Sequence, residues 1–106
     1  MNLAELFRQA NEMQARAKEM QARLAAIEVD GVSGAGLVRV RLNGKSELIS
    51  VEIDPSLLRP DDRITIKDLL VAAHADARAK LEGQIAEVMK SLAGALGLPP
   101  GLGLPG

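Results

Sequence analysis

Apolar residues at the start of this chain recur with alternating gaps of three and four: Leu3, Leu6, Ala10, Met13, Ala17, Met20, Leu24 and Ile27. That spacing is a heptad seam sustained for more than three repeats. It restricts the first quarter of the chain to a long amphipathic helix with one narrow apolar stripe. Neither Gly nor Pro interrupts Leu3 to Glu28, and one seven-residue phrase is nearly written twice, "NEMQARA" then "KEMQARL". Ala, Gln, Glu, Met and Arg favour helix, and such a helix is roughly 36 Å long. The repeat also sets Glu12 four residues before Arg16 and Glu19 four before Arg23. This is the favourable order for helix ion pairs, each worth only a few tenths of a kcal/mol.

The period then falls from seven to two. Val38, Val40 and Leu42 alternate with Leu37, Arg39 and Arg41, and Ile49, Val51 and Ile53 alternate with Leu48, Ser50 and Glu52. Asn43-Gly44 between the two runs predicts a two-residue hairpin turn. That turn sets Leu42 opposite Lys45, Val40 opposite Glu47 and Val38 opposite Ile49, with Val38, Val40, Ile49 and Val51 on one face. An earlier strand is expected over Ile27–Val32, ended by "SGAG", which gives three antiparallel strands. "DPSLLRPDDR" reads as a connector broken by Pro55 and Pro60, with a short turn over Ser56–Leu58. Thr65 is then a candidate cap, with Asp68 in a capping-box position. A second long helix is predicted from Ile66 to about Leu92, tolerating Gly83 at a cost of about 1 kcal/mol. The remainder is too rich in Gly and Pro to hold a helix.

These elements define an α+β chain of order α-β-β-β-α, with long N- and C-terminal helices flanking a small antiparallel sheet. A single domain is expected over residues 1–93, followed by a flexible Gly/Pro-rich tail over 94–106. Three short strands cover only part of two seams of this length, so a second copy of the chain is expected to complete the burial. The predicted core or dimer seam comprises Leu6, Met13, Met20 and Leu24 on the first helix and Val38, Val40, Ile49 and Val51 on the hairpin.

Composition narrows the chemistry. There is no cysteine among 106 residues, so disulfides, thiolate nucleophiles and Cys-ligated zinc are excluded, in keeping with a reducing cytoplasm. No apolar run reaches the roughly 18 residues of a membrane helix, and the start "MNLAELFRQ" lacks a secretory pattern. A cytoplasmic protein without membrane contact is expected. His74 is the sole histidine, mid-helix, with no partners for a metal cluster or triad. Asp61-Asp62, after Pro60, reads as a solvated turn. "GVSGAG" leads into a strand and lacks the Gly-Lys-Ser/Thr step of a phosphate loop. No enzyme activity, metal, cofactor or small-molecule substrate is expected.

The basic residues offer a better lead. Arg8, Arg16, Lys18 and Arg23 lie off the first helical seam, and Arg78 and Lys80 lie close together on the second helix. Net charge is −1 and each cation has acidic neighbours, so a mixed, merely solvating surface is the alternative. Phe7 is the lone aromatic residue, which disfavours base stacking and hence single-strand recognition. Duplex DNA held through its phosphates remains possible, and such binding weakens with salt.

Several stretches resemble the YbaB/EbfC family of bacterial nucleoid-associated proteins. They are the opening helix "LFRQANEMQARAKEMQ", the segment "VSGAGLVRVRLNGKSELISVEIDPSLL", the helix "DLLVAAHADARAKLE" and the end "LPPGLGLPG". The resemblance implies a homodimer of α-β-β-β-α subunits with a shared central body and projecting helices. It further implies double-stranded DNA as partner, and roles in nucleoid organisation and gene regulation. On this chain the implied DNA contacts fall on Arg8, Arg16, Lys18, Arg23, Arg78 and Lys80. Family members often carry Asn and paired basic residues where this chain has "HADARAK". A different class of function, a helical adaptor docking a protein partner through the Met-containing seam, stays open beside it.

Overall fold

The computed structural model describes residues 2–95 and Gly97. Apart from Gly94, Ala95 and Gly97, the tail expected over 94–106 lies outside the described residues. The first helix, α1, spans Leu3–Ala26. Asn2 caps it by accepting the Glu5 amide at 2.8 Å, which satisfies one of the free donors of its first turn. Ile27 is already extended, and the chain passes into strands β1 (Glu28–Ser33), β2 (Val38–Asn43) and β3 (Leu48–Ile53). They form an antiparallel sheet in the order β1-β2-β3. Short 3₁₀ turns occupy Gly34–Gly36, Pro55–Leu57 and Pro60–Asp62, and the second long helix, α2, runs Arg63–Ala95. The expected α+β order is the observed one.

Two local expectations need correction. Helix α2 begins three residues earlier than its apolar period predicts and continues past Leu92 to Ala95. Pro60, read as a breaker, instead opens a 3₁₀ turn that leads into Arg63 in the helical region. A proline's fixed φ suits a first helical turn, so Thr65 lies inside the helix rather than capping it.

The hairpin register also differs. Val38 pairs with Ile53, Val40 with Val51 and Leu42 with Leu48, and a bulge shifts the register between Arg41 and Leu42. The turn is three residues long, not two. Asn43 receives the Ser46 amide on its carbonyl at 3.0 Å and donates its own amide to the Glu47 carbonyl at 3.1 Å. Its side-chain oxygen accepts the amides of Lys45 and Glu47. Ser46, at φ +63°, takes the left-handed position of this turn type, while Gly44 does not. Gly44 has another reason to lack a side chain: a Cβ there would overlap the carbonyl of Leu24, where α1 ends.

Helix α2 packs across β1 and β2 and leaves β3 at the open edge. Between them are the buried residues Val29, Val38, Val40, Leu42, Leu57, Ala73, Ala77 and Leu81. The approach is close because Gly31 faces Ala73 and Ala77, and a Cβ at Gly31 would overlap backbone atoms of both. Each fully buried Leu or Val contributes about 1.5–3 kcal/mol. The Ser33 hydroxyl donates to the Leu69 carbonyl and ties the end of β1 to α2.

Helix α1 behaves differently: none of its residues is buried. Leu24 and the following Ile27 are half-buried near the sheet, Met20 is half-buried beside the end of α2, and the seam from Leu3 to Ala17 is solvent-exposed. Leu3 is 68% and Met13 71% exposed.

Candidate nucleic-acid interface

The charge of the chain is unevenly distributed along its elements. Helix α1 carries four cations and three carboxylates, α2 five cations and four carboxylates, and the segment 28–62 four cations and seven carboxylates. An anionic polymer therefore meets least repulsion along the helices.

On α1, Arg8 pairs with Glu5 at 3.4 Å. Among the described residues, Arg16, Lys18 and Arg23 make no ion pair within 4 Å, so the expected Glu12–Arg16 and Glu19–Arg23 pairs are not formed. Exposed pairs of long side chains gain little in water and lose rotamer freedom. Helical geometry puts Arg16 and Arg23 on one flank of the seam and Lys18 on the other. The first flank opens on a groove between α1 and the end of α2, lined by Arg16, Glu19, Met20, Arg23, Leu92 and Ala95. The second opens on a hollow lined by Lys18, Gln21, Ala22, Leu24, Ala25, Gly44 and Lys45.

The basic pair on α2 is engaged elsewhere. Arg78 reaches Glu82 at 3.7 Å. The Lys80 ammonium sits 3.0 Å from the Asp76 carboxylate and donates to the Asp30 carbonyl at 3.0 Å. Asp76 in turn accepts the Val32 amide at 3.0 Å. This backbone amide, then Lys80, holds the Asp76 carboxyl below the usual aspartate range. Lys80 and Asp76 therefore fasten α2 to β1. On the outer face of the sheet, Arg41 contacts Asp30 at 2.8 Å and Glu28 at 3.9 Å, and Arg39 lies 3.8 Å from Asp30. The hydrogen bond from Arg41 lowers the Asp30 pKa, and Asp30 raises that of Arg41.

Lys45 is a basic residue that sequence reasoning passed over. It stands in a polar turn, where a lysine signals nothing by itself. Its proximity to Lys18 arises only because Gly44 lets the hairpin loop meet the end of α1.

An apolar surface lies on the open side of the sheet. Of the seam residues, Val38 and Val40 are buried under α2, whereas Ile49 is 48% and Val51 41% exposed. Leu48 is 55% and Val71 65% exposed, and with Val40, Leu70 and His74 they line a shallow hollow. His74 thus borders an uncovered apolar face. Leu6 and Met13 are exposed, and Met20 and Leu24 half-buried.

Comparison with known proteins gives this arrangement a context. The profile of the YbaB/EbfC DNA-binding family matches residues 1–96. A nucleoid-associated protein of Rhodopseudomonas palustris (strain BisB5) is 56% identical over 99 residues, covering 93% of each chain. The nucleoid-associated protein BRADO0764 of Bradyrhizobium sp. (strain ORS 278) is 49% identical over 98 residues, covering 92% of each. Among solved structures, the uncharacterized protein HP0035 from Helicobacter pylori shares the fold. Its TM-score is 0.69 at 24% identity, over 87% of this chain and 97% of the other. No helix among the described residues is long and apolar enough to cross a membrane.

Proposed function

The chain belongs to the YbaB/EbfC DNA-binding family, and from that premise we propose that it works as a homodimer on double-stranded DNA, gripping backbone phosphates with its projecting helices. In this reading it is a non-enzymatic protein of the cytoplasmic nucleoid that helps to organise the chromosome and to regulate genes. The observation that carries the proposal is α1: an exposed helix with three cations, Arg16, Lys18 and Arg23, free of ion pairs among the described residues. Cations not neutralised within the fold are available to displace counterions from a duplex. Arg78 and Lys80, held by Glu82 and Asp76, are assigned a weaker part.

The dimer contact is assigned to the open side of β3. An edge strand presents unpaired backbone groups, and here its own Leu48, Ile49 and Val51, together with Val71 of α2, are apolar and exposed. Joining two such faces removes that surface from water and brings two sets of helical cations into one assembly.

Two measurements test the proposal. Gel-shift titration of duplex DNA is expected to give binding at about 50 mM salt that weakens steeply by about 200 mM; no shift at the lower salt refutes the DNA role. Arg16→Glu with Arg23→Glu is expected to reduce affinity without unfolding. Sedimentation of the chain carrying Leu48→Asp and Val51→Asp is expected to show a monomer where the unsubstituted chain sediments as a dimer. A dimer that survives both substitutions rules out this contact.

The exposed seam residues Leu3, Leu6 and Met13, with Phe7 exposed beside them, favour a second reading, an adaptor that docks a protein partner along α1. Capture of a specific partner that resists nuclease, and that Leu6→Ser with Met13→Ser abolishes, distinguishes it from DNA-mediated association.

A further inference from the structure

The two flanks of α1 differ in a way that bears on where a phosphate would rest. On the flank of Arg16 and Arg23, Glu19 lies in the same groove, and Glu5 and Glu12 follow along that edge, so signs alternate. The hollow on the opposite flank is lined by Lys18 and Lys45 with Gln21, three small residues and Leu24, and by no carboxylate. Glu19, next to Lys18 in sequence, lies in the groove of the other flank, and the carboxylate of Glu47, the acid nearest Lys45 in sequence, accepts the Asn43 side-chain amide at 2.9 Å. Neither lysine has an ion-pair partner within 4 Å among the described residues. Complementing the negative end of α1 does not account for Lys18, which stands two turns before Ala26, because that effect fades within the last turn.

The hollow is built rather than incidental. The hairpin loop can reach α1 only because residue 44 has no Cβ, which would strike the Leu24 carbonyl. The Asn43 side chain holds the amides of Lys45 and Glu47 and so shapes the loop that presents Lys45. Two lysines from different elements thus line one concave surface, with Gln21 beside them. Lysine acts as a point charge with three donors, suited to a phosphate oxygen approached from varied directions.

We propose that Lys18 and Lys45 form a two-point seat for a backbone phosphodiester of duplex DNA, so that the duplex is held at the root of α1 as well as along it. The proposal rests on the DNA-binding reading above and adds a residue, Lys45, and a location to it. The seat is assigned to phosphate, the contact that every duplex sequence presents alike.

The full chain is tested by fluorescence anisotropy with a labelled duplex across a salt series. The variant Lys18→Gln with Lys45→Gln is compared with a control losing the same charge elsewhere, Lys67→Gln with Lys90→Gln. All four side chains are exposed, and circular dichroism melts confirm that each variant stays folded. The seat variant is expected to bind on the order of tenfold more weakly at low salt, with the slope of log affinity against log salt reduced by about 0.9, the value for one phosphate, for each engaged protomer. The control is expected to change less than half as much. A seat variant with unaltered slope, or a control that falls equally, overturns the seat while leaving DNA binding standing. Failure of the unsubstituted chain to bind at about 50 mM salt overturns both.

Discussion

The two long helices of this chain begin from similar sequence patterns and end in opposite environments. Both carry apolar residues at helical spacing over more than six turns. On α2 that stripe closes on the sheet, and Ala73, Ala77 and Leu81 are at most 1% exposed. On α1 the stripe of Leu3, Leu6 and Met13 faces solvent and no residue of the helix is buried. An amphipathic pattern therefore specifies that a helix forms and which side is sticky, but not what covers it. The covered helix supports the fold; the uncovered one is available to something outside the subunit.

The sharpest way to break the contrast is to separate α2 from the sheet. Gly31→Val places a side chain against the Ala73 and Ala77 backbone, where neither side can yield. Overpacking of this kind costs about 1–3 kcal/mol, and more where backbone must shift. Thermal melting is expected to fall by at least about 10 °C for a domain of this size. A smaller shift would mean that α2 is less tightly seated than its buried residues indicate.

The complementary change on α1 is expected to do far less to the subunit. Leu6→Ser with Met13→Ser removes apolar groups already in water, so stability is expected to change by no more than about 1 kcal/mol, the combined range of two surface substitutions. If the melt drops as far as it does for Gly31→Val, the α1 seam is covered in the working assembly, and the contrast holds only for a lone chain.

The smallest effect is expected from acid. Asp30, Asp54 and Asp76 all have pKa values lowered below 3.8, by hydrogen bonds from Arg41, Ser56 and the Val32 amide respectively. A lowered folded-state pKa means these carboxylates stabilise the fold fully above the ordinary aspartate value. That contribution is lost as pH falls through the lower folded values. Hydrogen exchange at the Val32 amide is expected to quicken as pH drops below about 4 relative to core amides such as Val40, after correction for intrinsic rates. Asp76→Asn, which keeps an acceptor but loses the charge facing Lys80, is expected to flatten that dependence. An unchanged profile would show that the Asp76 contact contributes nothing to fastening α2.

Much of this was legible in the sequence because it depends on local periodicity. The gaps of three and four place α1, the alternation of Val38, Val40 and Leu42 gives a strand and its buried face, and Asn43-Gly44 marks where the chain turns. The turn's length was not legible. Asn43 has two ways to close a hairpin, and capping two amides with its side chain competes with the tighter turn. At Val38 and Val40 the resulting shift is an even number of residues, so they keep their inward face while their partners change, and the bulge after Arg41 makes it odd only at Leu42. Lys80 shows the same limit at the candidate site. Spacing places it near Arg78 and four residues after Asp76 on a helix surface, but only the approach of β1 brings the Asp30 carbonyl to Lys80 and the Val32 amide to Asp76.

The sequence by itself determined the elements, their order and the side of each that avoids water, because 3.6- and two-residue periods are properties of a single segment. The tertiary structure decided which stripe is covered, which cations are consumed in holding α2 to β1, and which are left unpaired. Those outcomes depend on contacts between residues tens of positions apart, where closeness follows from small features such as the missing side chains of Gly31 and Gly44.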